Sequence, residues 1–84
     1  MEFSKGQIVR SVAGHDKGDF LVIVELKDNF AFISDGKHRK LSNPKKKSLK
    51  HLKPTHTVLD VADLTDKKLR SVLNSKHSEQ AVTN

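Results

Sequence analysis

The 84-residue chain has no cysteine, no tryptophan and no tyrosine. Without cysteine there can be neither a disulfide nor a thiolate metal site, and nothing marks a secreted, stapled domain. Without Trp or Tyr, the usual platform on which unpaired bases stack is missing. Four Phe remain; Phe20, Phe30 and Phe32 lie inside apolar strand patterns and read as core, which leaves Phe3 as the free one. Apolar runs are a few residues long, far below the ~20 needed to cross a bilayer. The first residues, MEFSKG, lack the apolar segment of a signal peptide, so the cytoplasm is the expected location.

Another absence is local. Residues 36–59, GKHRKLSNPKKKSLKHLKPTHTVL, contain no Asp or Glu, yet hold eight of the sixteen Lys and Arg residues. Residues 1–35 carry four bases against six acids, and residues 60–84 four against four. The net charge of +6 is therefore concentrated in one block. A basic field without internal acids is not neutralised by intramolecular pairs and is available to a polyanion. Nucleic acid is the leading candidate. Anionic lipid is not, because Pro44 and Pro54 interrupt the block and no apolar stripe accompanies it.

Catalytic and cofactor signatures are also missing. No GxxxxGK[ST] or GxGxxG stretch provides a phosphate cradle. His15, His38, His51, His56 and His77 fall in different turns and strands, with no metal-ligand spacing among them. Asp16, Asp19, Asp28 and Asp35 occupy turn or strand-edge positions, where Asp is common for local reasons. One small domain offers little concavity from which to exclude water. Neither an enzyme nor a cofactor is expected.

What is present reads as short strands followed by a helix. Gln7–Val12 is β-branched and partly alternating, and it ends at a polar turn bracketed by Gly14 and Gly18. Those glycines read first as turn residues, which tolerate positive φ without a Cβ penalty. Asp19–Leu26 is the strongest strand, with Val22, Ile23 and Val24 at its centre. Phe30–Ile33, apolar at every position, predicts a third strand buried on both faces. Asp35-Gly36 is a two-residue hairpin signal and predicts a fourth strand over Arg39–Leu41. Pro44, capped by Asn43, fits a helical turn, and Lys45–Leu52 reads either as that turn or as an irregular basic loop. Thr55–Leu59 is the expected fifth strand. Thr65 can cap a helix with Asp66 in its first turn, and Leu69, Val72 and Leu73 form one apolar stripe. The expected organisation is a small five-stranded barrel over residues 5–60, a helix over 61–75 and a disordered tail over 76–84.

Three stretches, in order, carry a family resemblance: GQIVRSVAGHDKG (residues 6–18), SDGKHRKL (34–41) and NPKKKSLKHL (43–52). The first resembles the KOW motif, a strand–loop–strand element of ribosomal proteins and transcription elongation factors. Together the three resemble the KOW-domain RNA-binding proteins related to archaeal and eukaryotic large-subunit ribosomal proteins of the "fourteen-e" type. The resemblance covers roughly residues 5–60. It implies an SH3-like β-barrel, binding to RNA, in particular large-subunit ribosomal RNA, and association with the ribosome. One departure is His15, where that group commonly has Arg; His is mostly neutral at pH 7, so a phosphate contact from this loop should be weaker or more pH-dependent.

The residues expected to contact RNA phosphates are Lys37, Arg39, Lys40, Lys45, Lys46, Lys47, Lys50 and Lys53, with Arg10, His15 and Lys17 as a second edge. A bare run of three lysines is usually a solvated face. Here Lys45, Lys46 and Lys47 sit in an acid-free block, and all three are expected to be exposed. With few free aromatics, recognition should use phosphates and the shape of structured RNA. The free protein is expected to be monomeric, with ribosomal proteins as further partners. The competing reading is a protein-interaction KOW module of the transcription or translation machinery, docking through Leu69, Val72 and Leu73.

Overall fold

Four of the five strands are built around β-branched or aromatic residues, which favour extended backbone and pack well on a pleated surface. The computed structural model describes residues 3–82, with side chains as far as His77. Its strands are β1 (Gln7–Ser11), β2 (Phe20–Lys27), β3 (Phe30–Ser34), β4 (Lys45–Ser48) and β5 (Leu52–Val58), followed by helix α1 (Asp66–Val82). All pairings are antiparallel and the order across the sheet is β4-β3-β2-β1-β5. The chain is mostly β, with a single five-stranded sheet and a C-terminal helix.

The sheet is strongly curved. Register shifts interrupt the β2–β3 ladder between Ile23 and Glu25 and the β1–β5 ladder between Gln7 and Val9. Such bulges bend the strand and increase its twist. Pro54 sits opposite Val9 at the second of these and has no N–H to donate. Side chains make up the loss: Gln7 Nε2 donates to Thr55 O at 2.8 Å, and Thr55 Oγ1 donates to Ile8 O at 2.6 Å. The consequence of the curvature is visible at Lys47. Its Nζ donates to Ala13 O at 2.7 Å, just past β1, although β3 and β2 lie between β4 and β1 in the sheet. The sheet bends enough to bring a side chain of β4 to the end of β1, which is consistent with a barrel.

Both faces of β1 and β2 are covered. Val9, Leu21, Ile23, Ala31, Ile33 and Leu52 pack inside the curl. Ile8, Phe20 and Val22 point the other way and meet Leu69 and Leu73 of α1. Alternation along the chain thus feeds two cores, which is why Leu21, Val22 and Ile23 are apolar in succession. The α1 stripe is spent on the protein's own sheet. Thr65 caps the helix as expected: its Oγ1 accepts from Lys68 N at 3.1 Å, and Asp66 lies in the first turn.

Several expectations require correction. Asp35-Gly36 is not a two-residue hairpin, and Arg39–Leu41 is not a strand. The Asp35 carboxylate accepts from Lys37 N at 2.9 Å and Arg39 N at 2.8 Å, so residues 35–39 curl on themselves. Local side-chain-to-backbone bonds of this kind compete with strand pairing. The fourth strand is instead Lys45–Ser48, where Pro44 precedes the strand and so removes no ladder bond within it. A one-turn 3-10 helix, Leu49–His51, then leads into β5, which starts three residues before the expected Thr55. On β3, Phe30 is 38 % exposed and Phe32 half-buried, so that strand alternates and is not covered on both faces. Phe3, expected to be free, packs against the inner core. The helix does not stop at 75 but continues to Val82, into the segment expected to be disordered; residues 83–84 lie outside the described residues. Extending a helix costs far less than nucleating one, and Lys76, Glu79, Gln80 and Ala81 are good helix formers.

Candidate nucleic-acid interface

The loop between β3 and β4 carries the densest exposed charge. Ser34, fully buried, donates its hydroxyl to Arg39 O at 2.5 Å, and the backbone N–H groups of Asp35 and Gly36 donate to the same oxygen at 3.1 and 3.0 Å. Helix α1 holds the loop from its other side. Arg70 Nη1 donates to Gly36 O at 2.7 Å, and Leu41 N donates to Asp66 Oδ1 at 2.8 Å. With its backbone tied to itself and to the helix, the loop turns four consecutive side chains outward. Lys37, His38, Arg39 and Lys40 are all exposed.

Gly36 is the point of closest approach in that arrangement. Its φ is +75°, and a Cβ there would lie 2.6 Å from Asp66 O. Only a residue without a side chain lets the loop lie against the helix start. The loop of β1–β2 uses Gly14 and Gly18 at φ +86° and +91°, in keeping with their reading as turn residues.

The three lysines of β4 divide by strand alternation. Lys46 is exposed, with its ammonium 4.2 Å from the centroid of the Phe30 ring. Lys45 is half-buried beside a cavity of about 280 Å³ that also touches His15, Asp16, His38 and Arg39. The β1–β2 loop, the β3–β4 loop and the start of β4 therefore meet at one rim, whereas the sequence leads one to expect His15 and its loop on a second edge. Lys47 is not part of it. The residue is 8 % exposed, and its ammonium donates to Asp16 Oδ1 at 2.5 Å as well as to Ala13 O. The Ser11 hydroxyl, itself buried, lies 2.7 Å from Asp16 Oδ1 and 3.0 Å from Ala13 O and donates its one proton to the carboxylate. The expectation that Lys47 faces solvent is wrong, because the curl of the sheet carries it under the β1–β2 loop.

Burial alone would push the Asp16 carboxyl up. Hydrogen bonds from Lys47 and Ser11, with the charges of Lys47 and Lys45, outweigh burial and hold it below its ordinary value. Among the described residues this is the ion pair that involves the acid-free block.

The remaining expected contacts fall in two places. Arg10 pairs across the ladder with Lys53; Arg10 is half-buried and Lys53 exposed. Lys50, in the 3-10 turn, and Lys17, in the β1–β2 loop, are exposed as well. Arg10 and Lys53 lie at the β1–β5 side of the sheet order, whereas Lys17 and Lys50 lie in the connections next to β4.

Three residues of α1 belong to the surface and were not expected there. Arg70, Asn74 and His77 border a groove of about 580 Å³ together with Lys37 and Lys40 of the loop. Their spacing, i, i+4 and i+7, puts them on one helix face, beside the stripe of Leu69 and Leu73. That spacing was available from sequence; what was missing was the knowledge that the loop would fold against this face.

No protein-family model matches the chain, and no curated protein matches it. The likeness to KOW proteins rests on the three sequence stretches alone.

Proposed function

We propose that this chain is a non-enzymatic RNA-binding module that holds structured RNA through the rim formed by the β3–β4 loop, Lys45, Lys46 and the β1–β2 loop. The observation that carries the reading is the loop itself. Four adjacent side chains, three of them cationic, project from a backbone whose groups are bonded to each other and to α1. A charge array held in advance loses little freedom when it meets phosphates, and each phosphate neutralised releases counterions. The KOW resemblance narrows the RNA to that of the large ribosomal subunit and points to the ribosome or its assembly pathway. In this reading the contacts come from the exposed Lys37, Arg39, Lys40 and Lys46 with the half-buried Lys45, and a second set from His15, Lys17, Lys50 and Lys53 with the half-buried Arg10. Lys47 drops out.

The protein-interaction reading loses its sequence basis, since Leu69 and Leu73 are buried against Ile8, Phe20 and Val22. Competition separates what remains. Labelled structured RNA bound to the protein should be displaced by unlabelled RNA at far lower concentration than by duplex DNA or an acidic protein. Displacement by the acidic protein at equal concentration would favour a protein partner, and equal displacement by DNA would reduce the activity to general polyanion binding.

A further inference from the structure

The groove between the β3–β4 loop and α1 has a mixed lining that bare phosphate binding does not need. Lys37 and Lys40 border it on the loop side and Arg70 on the helix side, a cationic end suited to phosphate. Phe20 and Leu73, 8 % and 5 % exposed, border it with the edge of the outer core as an apolar floor. The His77 ring stands edge-on to Phe20, with centroids 5.0 Å apart and an interplanar angle of 77°. His77 is exposed, so its imidazole offers a flat surface in a chain without Tyr or Trp. Asn74, also exposed, brings an amide that can donate and accept at once.

Two acids share the groove. The Asp35 carboxylate is already engaged by Lys37 N and Arg39 N. Asp19 is exposed and supplies an acceptor for a ribose hydroxyl or an exocyclic amino group. The volume of about 580 Å³ falls within the range of small-ligand sites, about 300–1,000 Å³. A cationic end, an apolar floor, a flat ring and an amide are together complementary to a molecule with a phosphate, a planar base and polar base edges.

We infer that this groove takes one unpaired nucleotide of the bound RNA. The base lies over Phe20 and Leu73 against His77, with Asn74 at its edge, and the phosphate lies between Lys37, Lys40 and Arg70. The inference rests on the RNA-binding reading and adds to it a preference for RNA with an extrahelical nucleotide. Helix α1 then both covers the outer core and completes a binding site.

The test uses the full chain and three RNA probes in fluorescence anisotropy: a blunt duplex, the same duplex with one extrahelical nucleotide at mid-stem, and that duplex with the extra nucleotide abasic. The bulged duplex should bind roughly tenfold tighter than the blunt one, the size expected for stacking one base. The abasic bulge, which keeps the phosphate and the bend, should lose that gain. His77→Ala and Asn74→Ala should each lower the ratio of bulged to blunt affinity, the readout specific to the base, since phosphate contacts do not depend on a base. Equal affinity for blunt and bulged duplexes overturns the inference and leaves the RNA reading standing. So does a preference that survives in the abasic probe or in both variants. Binding of none of the three probes removes the RNA reading and this inference together.

Discussion

Lys47 Nζ lies 2.5 Å from Asp16 Oδ1, joining the outermost strand to the β1–β2 loop across 31 positions of sequence. The pair changes the meaning of the KKK run. Lys46 is exposed and Lys47, one residue on, is a structural clamp, with its ammonium shared between Asp16 and Ala13 O. A buried ammonium persists only when paired and hydrogen-bonded, and here both conditions are met.

Removing that ammonium should therefore cost stability. Lys47→Met keeps most of the aliphatic stem but strands the Asp16 carboxylate, and urea unfolding should show a loss of about 2 kcal/mol. Lys46→Ala gives up an exposed cation–π contact and should cost no more than about 0.5–1 kcal/mol. Equal losses at the two positions would mean that Lys47 is not clamped.

The same pair sets an acid dependence. The folded Asp16 carboxyl titrates below its ordinary value of 3.8, so the unfolded chain binds its proton first as pH falls. Its stabilising contribution is complete above pH 3.8 and disappears as pH drops through the lower folded value. Denaturant titrations at pH 7 and at successive points below pH 4 should show the wild type losing stability through this window. Asp16→Asn should be less stable at pH 7 and show a flatter acid limb. Parallel acid limbs for the two proteins would contradict the assignment.

Glycine substitutions distinguish a turn from a close contact. Gly18 and Gly36 both have positive φ, but a Cβ at Gly18 meets nothing within 4 Å, while one at Gly36 meets Asp66 O at 2.6 Å. Gly18→Ala should cost about 1 kcal/mol from backbone conformation alone. Gly36→Ala should cost clearly more, because the loop must also move away from α1. Thermal melting of the two variants compares them directly; a Gly36 variant no worse than its Gly18 counterpart would mean the loop does not press on the helix.

Much of the fold was legible from local pattern. The centres of β1 and β2, the Thr65 cap and the Leu69–Leu73 stripe follow from side-chain period and capping chemistry, which need no distant partner. What was not legible depends on neighbours far along the chain. The β4 pairing is supplied by β3, and the burial of Lys47 by an Asp 31 residues earlier. Within β4, Lys47 lies opposite Ala31 of the inner core, a pairing that only the fold reveals. The Asp35-Gly36 hairpin failed because Asp35 and Ser34 bond the loop backbone more locally than a ladder would. Of the residues expected to touch RNA, those in the loop are exposed as anticipated. The contribution of α1 was missed because nothing local says that residues 36–41 lie against Arg70 and Asn74.

The central claim is that RNA meets a defined rim and not merely a net positive charge. The measurement that tests it most directly is the salt dependence of binding to one structured RNA. Lys37, Arg39 and Lys40 are changed together to Ala, and in a second protein Lys27, Lys67 and Lys68, exposed residues outside the acid-free block. Both triples remove three charges. The first should weaken binding and flatten the slope of log K against log salt by roughly 2–3 units, about one for each phosphate that is no longer neutralised. The second should leave the slope within about half a unit of the wild type. Equal flattening in the two proteins would show that binding follows total charge, and the rim would lose its role.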